Sequence, residues 1–164
     1  QPRLLVAGCG NSRLGCELYD DLAAHHLGPP QLDIWNVDYA PAAVAASSSL
    51  AGSRRMRHVV GDLCALPRDV FEAGSFDAVV DKGTLDALFC ARRGAPIAAA
   101  GELRRALRVG GRAFVVAGVA TSSEVLATFH DWDVLLDGSP YVNDDGDATI
   151  NLRAQLYVLS RPAR

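Results

Sequence analysis

The stretch DKGTLDAL, Asp81 to Leu88, contains the one lysine of the chain; every other fixed positive charge is an arginine. An ammonium is a compact, strongly hydrated point charge, whereas a guanidinium is a planar fork. A lysine between Asp81 and Asp86 therefore points to a site that uses a compact cation beside a carboxylate. Three other short stretches carry polar or glycine residues of similar promise. GCGNS, Gly8 to Ser12, has two glycines that let a backbone turn sharply and approach a ligand with no Cβ in the way. Asp38 closes IWNVDY, and a carboxylate at such a position can accept both hydroxyls of a ribose. Asp62 lies in VVGDL, where its carboxylate can accept an exocyclic amine while the next backbone N–H, on Leu63, donates to a ring nitrogen.

Several familiar chemistries are excluded by spacing. The dinucleotide fingerprint G-x-G-x-x-G fails at its third glycine, which is Arg13 here, and no G-x-x-x-x-G-K-[ST] occurs. Ser12 lacks the closing glycine of a nucleophile elbow, since Leu14 stands there. Cys9, Cys16, Cys64 and Cys90 form no C-x-x-C pair, and no histidine cluster stands at metal-ligand spacing, so no metal is expected. The acidic stretch Ser139 to Asn151 does not match a calcium loop, because aligning Gly146 puts Tyr141 and Leu152 at ligand positions. Its Asp144, Asp145 and Asp147 read either as a solvated hairpin or as an acidic lip for a basic protein segment.

The elements that must carry these residues alternate. Arg3 to Ala7 is an apolar run ended by the glycine turn, hence a buried strand. Asn11 or Ser12 is placed to cap a helix with Leu14, Leu18 and Leu22 on one face. Leu32–Val37, Met56–Val60, Ser75–Val80 and Ala113–Val119 read as further strands. Helices are expected from Pro41 to about Ala51, from Thr84 to about Cys90, from Pro96 to a stop at Gly110-Gly111, and from Ser122 to His130. Trp132–Leu136 and Leu152–Leu159 are two strands in succession, with no helix-length segment between them. Trp35 and Trp132 are assigned to the core. Strand–helix alternation repeated five times, closed by a strand pair, predicts an α/β fold. It is Rossmann-like and doubly wound, a mostly parallel seven-stranded sheet with one antiparallel strand near the C-terminus. Ligands of such sheets bind beyond the carboxyl ends of the strands. Gly8–Gly10, Asp38, Asp62 and Asp81 all fall there.

Length 164 fits one domain spanning the whole chain, and 49% hydrophobic against 21% charged residues is an ordinary globular balance. A net charge of −3 argues against nucleic-acid partners, which require a basic face. No apolar run is long enough for a membrane helix. Reduced, packed thiols agree with a cytoplasmic location. The first residue is Gln1, not Met, so an N-terminal segment is expected to be missing and targeting signals are unobservable.

Taken together, GCGNS, VDYAPAAV and DKGTLDAL resemble class I, seven-β-strand, S-adenosylmethionine-dependent methyltransferases, and within them the group that methylates lysine in elongation factor 1-alpha. The resemblance runs from the glycine turn to the last strand. It implies S-adenosyl-L-methionine as cofactor and a lysine-presenting protein as substrate. It puts Gly8, Gly10 and Asn11 under the methionine part, Asp38 and Tyr39 at the ribose, and Asp62 and Leu63 at the adenine. Asp81 and Lys82 then line the amino-acid end and the methyl-transfer region as catalytic residues, Lys82 offering its ammonium to the cofactor carboxylate or to Asp81, with Asp86 bracing the short helix. Val6 stands where many members of the wider superfamily carry an acid. A small-molecule methyltransferase and a non-catalytic cofactor-binding module remain the alternatives.

Overall fold

The structure, a computed structural model, describes residues 1–25, 32–91, 94–140 and 154–163. The chain opens with β1 (Arg3–Ala7), α1 (Leu14–Ala24), β2 (Asp33–Asp38), α2 (Pro41–Ala51) and β3 (Met56–Val60). It continues with β4 (Phe76–Lys82), α3 (Thr84–Ala91), α4 (Ala95–Ala106) and β5 (Leu107–Ala117). The last elements are α5 (Ser122–Thr128), β6 (Asp133–Pro140) and β7 (Gln155–Ser160). They build one seven-stranded sheet in the order β3-β2-β1-β4-β5-β7-β6. β7 runs antiparallel to both β5 and β6, while β1 to β5 pair in parallel. The single reversed strand is therefore β7, as the closing strand pair in the sequence implied.

Successive side chains of a strand face opposite sides, and the two cores follow that period. Leu4 and Val6 of β1 pack with Ile34 and, on α1, Leu14, Leu18 and Leu22. Leu5 and Ala7 face the other way, into a larger core with Val37, Val79, Leu103 and Val125. Each side of the central strands is thus covered, which is why they read as unbroken apolar runs. Trp35 and Trp132 are both buried.

Three local expectations are corrected. The five-fold strand–helix repeat is not strict: residues 61–75 contain no helix, and α3 and α4 both lie between β4 and β5, where the two helices were placed. Leu63, Leu66 and Phe71 of that connection are buried against the larger core and cover the sheet without a helix. Phe71 packs with Trp35 and Phe76 at centroid distances of 5.7 and 6.0 Å. Second, α4 ends at Ala106, not at the glycine pair. Leu107 is fully buried and pairs with Phe76, so β5 starts there, and the pair Gly110-Gly111 sits within it beside a register shift between Phe76 and Ala78. Gly110 has φ +72°, and a Cβ at Gly111 would lie 2.8 Å from the Arg108 carbonyl oxygen. Third, α1 begins after Arg13, and Ser12 Oγ accepts from the Leu14 backbone N–H at 3.3 Å without occupying the cap position. The acidic stretch, with Tyr141, Asp144, Asp145 and Asp147, lies outside the described residues apart from the end of β6.

Candidate functional site

Parallel pairing brings the strand ends to one rim. Ala7 is in register with Val37 and with Asp81, Asp38 with Val60, and Lys82 with Val116. The residues that follow these pairs, Gly8, Tyr39, Gly61 and Gly83, therefore surround a single hollow. The hollow has a volume of about 780 Å³ and is lined by Gly8, Asp38, Tyr39, Asp62, Leu63 and Lys82, together with Thr84, Leu88 and Ala91. Sites for small organic ligands run roughly from 300 to 1,000 Å³. Its walls are mostly apolar, with polar groups at a few positions.

Asp38 is buried, and both of its oxygens are engaged. Oδ2 accepts from the Gly10 backbone N–H at 2.9 Å and Oδ1 from that of Ala40 at 3.0 Å. One carboxylate thus fixes the glycine turn and the exit of β2 together. A carboxylate offers about four acceptor sites, so each oxygen keeps capacity for a ligand hydroxyl. Gly10 has φ +53°, and a Cβ there would meet nothing within 4 Å, so the turn presents open backbone. Asp62 is exposed and accepts from the Cys64 backbone N–H at 2.8 Å through Oδ1. Leu63 beside it is buried, whereas Tyr39 is 80% exposed on the rim.

The structure separates Asp81 from Lys82. β4 extends through both, and neighbouring residues on a strand face opposite sides. Lys82 is exposed and lines the hollow. Asp81 is buried and outside the lining, and it caps α3: its oxygens accept from the backbone N–H groups of Thr84 at 2.9 Å and Leu85 at 3.1 Å. Burial pushes its carboxyl up to about 7, against the pull of those two donors and with a further push from Asp86. Asp81, expected at the cofactor's amino-acid end, is thus absent from the lining of the hollow and holds the start of α3. Gly10 and Asn11 likewise lie outside the lining, and Gly10 reaches it only through Asp38.

Two residues without an assigned role prove structural to the site. Thr84 Oγ1 donates to the Ala7 carbonyl oxygen at 2.9 Å and lies 3.3 Å from that of Gly8, stitching α3 to the glycine turn. Gly8 has φ +66°, and a Cβ there would fall 2.0 Å from Thr84 Oγ1, so no larger residue fits. Gly15, in the first turn of α1, supplies the close helix–strand contact that Arg13 cannot: a Cβ would lie 2.3 Å from Asn36 Oδ1 of β2. The signal for Gly15 was a third glycine two positions beyond the fingerprint spacing. The signal for Thr84 was its place three residues after an aspartate, the spacing of a helix cap.

With this geometry in place, the likenesses to known proteins are informative. Residues 3–154 match the model of a family described as a methyltransferase domain. The chain is 42% identical over 89 residues to EEF1A lysine methyltransferase 4 of Mus musculus, an alignment covering 54% of this chain and 31% of that protein. It is 38% identical over 111 residues to the eEF1A lysine and N-terminal methyltransferase of Danio rerio, covering 67% of this chain and 15% of that protein. The chain thus spans less than a third of the length of either relative. Among solved structures, a SAM-dependent methyltransferase from Methanosarcina mazei superposes with a TM-score of 0.77 at 13% identity, over 99% of this chain and 93% of its own. A TehB-like SAM-dependent methyltransferase from Corynebacterium glutamicum superposes with a TM-score of 0.70 at 21% identity, over 97% of this chain and 79% of its own. At these identities the two structures share the fold alone.

Proposed function

We infer, because the chain belongs to the methyltransferase-domain family, that it transfers a methyl group from S-adenosylmethionine to a lysine side chain of a protein resembling elongation factor 1-alpha. The observation that carries the reading is the single hollow onto which Gly8, Asp38, Asp62 and Lys82 all open. Its donor set fits the cofactor from end to end. Asp38 would accept from the ribose hydroxyls through the lone pairs left after Gly10 and Ala40. Asp62 would accept the adenine amino group and the Leu63 backbone N–H would donate to the ring, with Tyr39 beside the ribose. Gly8 would line the methionine part, and Lys82 would supply the compact cation its carboxylate calls for. The lysine-methylating relatives in mouse and zebrafish support the substrate class.

The bound cofactor supplies a sulfonium methyl, already a good electrophile. The protein therefore has to orient the amine and keep it neutral; orientation alone can lower a barrier by about 7–11 kcal/mol. A free lysine ammonium has a pKa of about 10.4, and desolvation at the mouth of the hollow lowers it. Asp81 cannot take the proton, because it is buried against α3. The amine sheds its proton to water before the final approach. The four cysteines form no disulfide, which supports a reducing, cytoplasmic setting, and no helix among the described residues is long and apolar enough to cross a membrane.

The test is transfer from cofactor labelled at its methyl to purified elongation factor 1-alpha and, in parallel, to cell extract. Label in a lysine of the protein is expected. Label only in small molecules rejects the protein substrate, and failure to bind S-adenosylhomocysteine in calorimetry rejects the whole reading.

A further inference from the structure

Asp86 is engaged in a task that the cofactor hollow does not use. Its Oδ2 accepts from the Gly118 backbone N–H at 2.7 Å, and its Oδ1 from those of Val119 at 3.0 Å and Ala120 at 2.9 Å. Three consecutive N–H groups on one carboxylate make a closed anion nest, here filled by the protein's own side chain. The segment so held follows β5, whose end is in register with Lys82, and the Gly83 N–H donates to the Val116 carbonyl oxygen at 3.0 Å. The held loop therefore stands on the rim beside the Lys82 wall, outside the hollow itself. At its centre the Val119 side chain is 67% exposed, an apolar group on a backbone pinned at three successive residues. Single exposed apolar residues are ordinary on a protein surface. One presented on a rigid support next to a ligand site is what a preorganised contact requires.

The same short helix carries the opposite connection. Thr84 ties it to the glycine turn, and Asp86, two residues further on, ties it to the loop after β5. The start of α3 joins the cofactor side of the rim to the far side.

We propose that Asp86 is a positioning residue for methyl transfer: it holds residues 118–120 as the substrate-side lip of the site, and Val119 on that lip contacts the protein segment that delivers the lysine. This rests on the methyl-transfer reading above. Asp86 touches neither cofactor nor amine. Its effect runs through the loop, so it governs capture of the protein and leaves cofactor binding alone.

The experiment compares wild type, Asp86→Asn and Val119→Ser. It measures KM and kcat with elongation factor 1-alpha and the Kd of S-adenosylhomocysteine by calorimetry. The asparagine keeps the shape but presents an NH₂ group to at least one of the three donors, so the lip loosens. KM for the protein is expected to rise about tenfold in Asp86→Asn and about threefold to tenfold in Val119→Ser, with the cofactor Kd within twofold of wild type in both. Val119 is exposed, so its variant reads the contact with no folding penalty. An unchanged KM in Val119→Ser overturns the proposal, as does a cofactor Kd that weakens in Asp86→Asn by the same factor as KM. A wild-type chain that binds no S-adenosylhomocysteine fails differently, since it removes the methyl-transfer reading itself.

Discussion

Asp38 and Lys82 meet the same hollow with different strengths, and the difference is physical. Asp38 is buried and already holds two backbone donors, so its remaining lone pairs are fixed in direction. Lys82 is exposed on a flexible stem. Replacing Asp38 by Asn puts an NH₂ against the Gly10 or the Ala40 donor and removes the charge that strengthens both bonds. Hydrogen bonds to charged groups contribute about 1.5–3 kcal/mol, so S-adenosylhomocysteine should bind about 10- to 100-fold more weakly to Asp38→Asn in calorimetry. An exposed ion pair is worth only about 0.2–1 kcal/mol, so Lys82→Ala should cost about two- to fivefold. Equal losses in the two variants would contradict this ranking. The place of the lone lysine follows from β4, which ends on an exposed Lys82 at the hollow directly after a buried Asp81.

At the scale of elements, the connection from β3 to β4 shows how a sheet is covered without a helix. Leu63, Leu66 and Phe71 fill the larger core from a stretch of turns, and Leu63 also lines the hollow. Packing of Phe71 thus supports the Asp62–Leu63 wall of the hollow as well as the fold. Truncating a fully buried phenylalanine costs about 3–5 kcal/mol through lost transfer energy and a residual cavity. Phe71→Ala should lower the urea midpoint accordingly, and the cofactor Kd should weaken in the folded protein because Asp62 and Leu63 lose their backing. The alternation of elements was legible because apolar runs and helix stops are local. No helix was placed in this connection, but its part in the core was not legible, because nothing local marks a turn segment as buried; only its contacts with Trp35 and Phe76 fix it. The extension of β5 back to Leu107 has the same origin, since pairing with Phe76 overrides the glycine pair as a helix stop.

For the whole molecule, the consequence of a buried carboxyl is a pH-dependent stability. Asp81 is raised from 3.8 to about 7 by burial. Between those values the folded chain holds a proton that the unfolded chain has released. Its contribution is full below about pH 4 and is lost as pH rises through about 7, an effect of up to about 4 kcal/mol. Asn cannot titrate and still offers an oxygen to the Thr84 and Leu85 donors. Urea unfolding between pH 4 and pH 8 should therefore show wild type losing stability relative to Asp81→Asn as pH rises. Burial lowers the His58 pKa, which works in the opposite direction, but that group is common to both proteins and cancels in the difference. A constant difference across that range would show that Asp81 stays ionised in the fold.

The sequence by itself determined the order of strands and helices, the one reversed strand and the rim on which glycine turn, Asp38, Asp62 and Lys82 gather. Those features follow from the periods of apolar residues and from the rule that parallel strands end on one side. Only the tertiary structure decided which way each rim side chain faces and what it holds. Asp81 turned inward to cap α3, Asp86 took the loop after β5, and Gly15 replaced the missing fingerprint glycine against Asn36. Asp81 meets donors only three and four residues on, and its burial depends on where β4 ends to the single residue; Asp86 and Gly15 meet partners far along the chain, and pairing between distant segments is set by the packed sheet and not by local pattern.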